Sequence, residues 1–130
     1  MSIERINPGT LAPPIGFSHA VLGTGRTIFL AGQTAVDRSG RIVGSDVVEQ
    51  FEQALRNLLE ALRAAGGRPD LLASLTIYIV DIEDYRNHAR EIGLVWKRLV
   101  GSEYPAMAGI GIDRLWDAEA LVEIQGFAII

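Results

Sequence analysis

The 130-residue sequence has no cysteine and only one lysine, Lys97. The first absence excludes thiol nucleophiles, disulfides, cysteine-ligated zinc and iron–sulfur clusters, and with no mark of an oxidising compartment it points to the cytoplasm. The second leaves no GxxxxGK[ST] loop, whose lysine would reach a nucleotide's phosphates. Positive charge is short overall: 12 Lys+Arg stand against 16 Asp+Glu, for a net charge of −4. That balance, with a pI near 5.1, argues against nucleic acid or an anionic membrane surface as a partner. Long hydrophobic runs are also missing. Leu75–Val80 falls far below the ~18 residues of a membrane span, and Met1–Pro8 lacks the basic start and apolar region of an export signal.

What is present is apolar. Hydrophobic residues make up 48% of the chain and the mean hydropathy is +0.22. These values describe one domain over residues 1–130, large enough to bury roughly two thirds of its unfolded surface without a staple.

The pattern of elements begins with a polar lead-in ending at Pro13-Pro14, where two prolines impose extended chain. Phe17–Leu22 and Thr27–Ala31 read as strands joined through a hairpin turn at Gly23-Thr24-Gly25-Arg26. A turn at Asp37–Gly40 leads into a third short strand at Arg41-Ile42-Val43. Asp46 and Glu49 have capping-box spacing, and Val47, Phe51, Leu55, Leu58, Leu59 and Leu62 recur at helical intervals up to Gly66-Gly67. Leu75–Val80 is apolar on both faces, as in a central strand. A second helix is expected from about Asp84 to Gly101, then strands over Ala106–Ile112 and Leu121–Ile129. The sum is an α+β domain: a mixed sheet of about six strands with two helices on one face. The other face is left to be covered by self-association.

Few residues carry chemistry. Gly23-Thr24-Gly25 lacks the third glycine and following helix of a dinucleotide loop. In Gly109-Ile110-Gly111 the glycines signal bare strand geometry or room for a ligand, the former being the expectation. His88 and Glu91 share a helix face without a third metal ligand and read as a solvated face, so no metal site is expected. His19 sits beside Ser18, but neighbours in a strand point to opposite faces. That removes a Ser-His pair and leaves His19 as a lone hydrogen-bonding or proton-transfer group. Glu123 is the most informative polar residue. Alternation in Leu121–Phe127 puts it with Gln125 on one face of an apolar strand. Such a carboxylate is either a half-exposed acid paired with an arginine or a cleft residue that exchanges protons with substrate or water.

The segments Ile15-Gly16-Phe17-Ser18-His19-Ala20-Val21, Ile28–Gln33, Asp84-Tyr85, Tyr104-Pro105-Ala106 and Val122-Glu123-Ile124-Gln125 together resemble the Rid family of reactive-intermediate deaminases, also called the YjgF/YER057c/UK114 family. The resemblance runs over nearly the whole chain. It implies a chorismate-mutase-like fold packed as a homotrimer, with small-molecule clefts at the subunit interfaces. It also implies hydrolysis of enamines or imines without metal or organic cofactor. Glu123 matches the family's water-activating glutamate. Ala31, Gly32 and Gln33 match a pocket segment whose first residue is usually serine, and Phe17 stands for a tyrosine.

Three matching positions depart from that pattern. Met107 stands where the family's arginine clamps a substrate carboxylate, Gly109 where a cysteine is frequent, and Ala89 where an asparagine is usual. Methionine supplies none of arginine's permanently charged bidentate fork. The expectation is therefore a hydrolase using Glu123 on a substrate held by Met107 and His19, with Arg114 as the candidate displaced charge. The alternative is a non-catalytic ligand-binding or regulatory trimer.

Overall fold

The computed structural model describes residues 2–130; Met1 lies outside them. The strongest periodicity in the sequence becomes α1 (Val47–Ala64), whose buried stripe includes Phe51, Leu55, Leu58, Leu59 and Leu62. Asp46 caps it by accepting from Glu49 N at 2.9 Å. Glu49 reaches back one residue beyond the cap, accepting from Ser45 N at 2.8 Å. The helix ends in a Schellman motif: Gly66, at φ +93, donates to Arg63 O, and Gly67 donates to Leu62 O.

Six strands follow the alternation of the sequence. A two-stranded ribbon pairs β1 (Ser2–Ile6) with β2 (Ala20–Thr24). A four-stranded sheet has the order β3 (Thr27–Gln33), β6 (Val122–Ile129), β4 (Leu72–Ile79), β5 (Ala106–Gly111). Within it β4 and β5 run parallel and the other pairs antiparallel, so the sheet is mixed. A parallel bridge from Ser18 to Ala106 joins the chain before β2 to the free edge of β5.

Several expectations need correction. The lead-in is a paired strand, β1. The first predicted strand begins at Ala20 rather than Phe17, because the Ser18 amide is spent on Pro105 O. The Gly23–Arg26 turn is not a hairpin: β2 pairs with β1 and β3 with β6, while Arg26 and Ile130 exchange main-chain hydrogen bonds. Only Ile42 of the third predicted strand pairs, in a single bridge with Val36. The second helix starts at Ile82, capped by Asp81, and breaks at His88 into α2 (Ile82–Asn87) and α3 (Ala89–Leu99). His88 Nδ1 lies 2.8 Å from Asp84 O. That bond, helped by the nearby carboxylates, raises the imidazole pKa above its ordinary 6.5.

All three helices contribute to one layer. The core lies between α1 and α3 on one side and the inward residues of β4 and β6 on the other, including Leu75, Ile77, Ile79, Val122 and Ile124. The opposite sheet face carries no layer. Phe29 and Phe127 meet there edge-to-face at 5.3 Å, and Ile110 is exposed on the same face two strands away, on β5. Among the described residues no helix is long and apolar enough to cross a membrane.

Candidate functional site

Register decides which candidate residues share a face. Tyr78 pairs with Glu123 on one side and Ile110 on the other, so these three stand on the open face. Met107 pairs with Leu75 and Gly109 with Ile77. Leu75 and Ile77 are core residues, so Met107 and Gly109 belong to the helix side. Met107 packs, half-buried, against that core. The two residues of greatest chemical interest, Glu123 and Met107, therefore lie on opposite faces of one sheet, with β4 between their strands. Adjacent strands are ~4.8 Å apart, so the lateral separation alone is on the order of 10 Å.

The Glu123 half is polar and open. β3 is irregular between Leu30 and Gln33, where its pairing with β6 shifts. At that bulge Gly32 leaves room for the Glu123 carboxylate, since a Cβ at Gly32 would collide with Glu123 Oε2. Ala31 and Gly32 are exposed, and Gln33 is half-buried opposite Ile124. The Glu123 carboxylate forms no ion pair and accepts no hydrogen bond among the described residues. Within the chain, the salt-bridge reading of this acid is therefore not realised.

The Met107 half is an apolar cavity of about 400 Å³ between α3 and the edge strand β5, lined by side chains that carry no formal charge. Phe17 sits at its rim, and Trp96 stacks on Tyr104 in its wall at 5.6 Å and 12°. Tyr85 also lines it. Burial pushes the Tyr85 phenol up to about 12, so the hydroxyl stays neutral.

The other predicted residues are placed apart from both halves. His19 touches Phe17 edge-to-face at 5.1 Å. Its Nε2 lies 2.8 Å from Ala12 O, so the ring braces the lead-in and the rim. The Arg114 guanidinium is engaged with its own loop, donating to Leu115 O at 3.1 Å and Trp116 O at 3.2 Å. It does not line the cavity. Among the described residues no cluster of three or more His, Asp or Glu could hold a metal.

Residues 9–130 match the family model described as endoribonuclease L-PSP. The human protein named 2-iminobutanoate/2-iminopropanoate deaminase is 33% identical over 94% of this chain and 83% of its own length. A RutC family protein of Pyrococcus horikoshii is 30% identical over 88% of each chain. The crystal structure of YyfB, a conserved Rid family protein of unknown function from Yersinia pestis, superposes over 100% of both chains with TM-score 0.90 at 37% identity. The chain belongs to the Rid family. Its α+β fold with a mixed sheet is that family's fold.

Motif reading of this Rid protein missed the residues that hold its Glu123 half in place. Gln50, only 3% exposed, donates to Gly44 O and Glu119 O and accepts from Leu121 N at 2.8 Å. It thereby fixes the chain two residues before Glu123. Asn57 donates to Thr34 O and Val36 O and fixes the chain just after Gln33. Gln50 is a polar residue on the buried stripe of α1 and Asn57 a half-buried one flanking it, and the misplacement of Gln50 was the available signal. The cavity's Gly93 and Trp96 carried no motif and were visible only as a helix face.

Proposed function

We propose that this Rid protein is a cofactor-free hydrolase of a C=N bond, working as a homotrimer whose clefts join the Glu123 face of one copy to the Met107 cavity of another. The observation that carries this reading is the placement of the two halves on opposite faces of one sheet. A single chain cannot close them on one small ligand, and a second copy docking on the open face can. The apolar side chains exposed on that face support the same reading.

In the reaction, water adds to the imine carbon while the Glu123 carboxylate accepts its proton and passes it to nitrogen. The carbinolamine so formed collapses: Glu123 carries its hydroxyl proton to nitrogen, the C–N bond breaks, ammonia leaves and a carbonyl product remains. Met107 at the position of the family's arginine means that the substrate is not held by a charged clamp. The relatives' named substrates, 2-iminobutanoate and 2-iminopropanoate, carry a carboxylate, and this cavity offers no cation for it.

The test is ammonia release from carboxylate-free imines generated in situ by an amine oxidase. Wild type should accelerate release, and Glu123→Gln should lower that acceleration by about 10²–10⁴-fold, the usual size of a general acid–base contribution. Equal rates for wild type, Glu123→Gln and the uncatalysed control would overturn hydrolysis. They would favour the second reading, a ligand-binding trimer without turnover, which the uncharged lining of the cavity also fits. Nuclease action has little support here, because the chain is acidic and His19 and His88 are each engaged with main-chain carbonyls of different segments.

A further inference from the structure

Two glycines line the cavity without a local reason to be glycine. Gly93 is inside α3, where glycine is among the least favourable residues. Its φ is not positive, and a Cβ there would meet nothing within 4 Å. Gly109 is inside β5, where glycine weakens a strand. A Cβ there would make only ordinary contact with Ile79 Cδ1, at 3.6 Å. Many other glycines of this chain are fixed by positive φ or by crowding, as Gly66 and Gly32 are, and Gly9, which is not, lies in the exposed lead-in away from the cavity. What Gly93 and Gly109 share is the space they leave in one cavity.

Trp96, only 3% exposed, has a buried indole Nε1 with no hydrogen-bond partner among the described residues. The wall thus carries an unfavourable helix glycine, an unfavourable strand glycine and an unpaired donor, none of which the fold requires.

We infer that Gly93 and Gly109 are specificity-determining residues that hold the cavity open for the planar, uncharged body of an aryl or cyclic ligand. This rests on the reading of the cavity as one half of the substrate cleft. Size and chemistry select the class. An apolar cavity of about 150 Å³ admits benzene, so about 400 Å³ admits a substituted ring. Aromatic walls at Tyr85, Trp96 and Tyr104 suit a flat body. An ionised carboxylate entering the cavity would lose its hydration with no cation to meet it.

The experiment uses acetophenone, a neutral aryl ketone, and pyruvate, a small carboxylate-bearing ketone, as probes of the whole protein. Binding is followed by NMR through the indole N–H resonance of Trp96, separated from that of Trp116 with a Trp116→Phe variant. Acetophenone should shift the Trp96 resonance saturably and pyruvate should not. Gly93→Leu and Gly109→Val should each weaken acetophenone binding at least 10-fold with the melting temperature held or raised, and Gly93→Ala should weaken it less. Unchanged acetophenone affinity in both filled variants would overturn the inference, as would pyruvate binding as tightly as acetophenone. Loss of hydrolysis alone leaves a different signature. If Glu123→Gln and wild type are equally inactive yet the glycine variants still lose acetophenone, the ligand class stands and the enzymatic reading falls. If 2-iminopropanoate is hydrolysed and acetophenone does not bind, the reverse holds.

Discussion

Met107 stands between two requirements. Its side chain completes the core on the helix side of β5 and also lines the cavity, where the proposed reading would put a substrate clamp. An arginine here would extend a similar apolar stem but bring a guanidinium into a wall that has no anion to receive it. Met107→Arg should therefore lower the melting temperature of the unliganded protein. It should also create a carboxylate site: millimolar pyruvate should raise the melting temperature of the variant and leave wild type unmoved, since a ligand stabilises only the state that binds it. Release of ammonia from 2-iminopropanoate should rise in parallel. A variant that is destabilised but indifferent to pyruvate would show that position 107 does not face the ligand.

Among the elements, the start of β6 depends on a side chain from a helix. Gln50 supplies two donors and an acceptor to Gly44 O, Glu119 O and Leu121 N. Gln50→Leu keeps the volume and removes all three bonds, leaving buried main-chain groups unsatisfied at about 1–3 kcal/mol each where water cannot enter. The expected loss is about 2–4 kcal/mol in urea unfolding. Hydrogen exchange should speed up selectively at Leu121, and any activity dependent on Glu123 should fall further than stability alone predicts. Unaltered exchange at Leu121 would remove Gln50 from this positioning role.

Which of this was legible in the sequence depended on range. Period-two alternation placed Glu123 and Gln125 on one face of β6, and capping chemistry placed α1 within a residue of its observed start, because both are local signals. The β1–β2 pairing was not legible, since the strands are joined through a proline-containing stretch and meet by tertiary contact. Gly23-Thr24-Gly25 misled for the converse reason: it is a turn, but the partner of each flanking strand lies elsewhere in the chain. Matching motifs brought Met107 and Glu123 into one site on paper. Only strand register puts them on opposite faces.

On the proposed reading, that separation makes an assembly of copies, rather than the single chain, the unit of function. The open sheet face exposes Phe29 at 77%, with Phe127 and Ile110 also exposed, in a chain whose other sheet face is covered by helices. Burial of such a patch between copies is worth about 25 cal/mol for each Å² of apolar surface removed from water. A single charge at its centre removes part of that gain and adds the desolvation of a carboxylate. Light scattering should therefore find wild type at about three times the 14.1 kDa chain mass and Phe29→Asp shifted to the monomer. Circular dichroism of the variant should retain the helical signal, because Phe29 lies outside the core formed by α1, α3, β4 and β6. Glu123 stays chemically intact in that monomer and the Met107 cavity keeps its lining, yet imine hydrolysis should vanish, since no second copy brings one to the other. A monomeric wild type, or a Phe29→Asp monomer that still hydrolyses imines, would place the reaction within one chain and overturn the shared cleft.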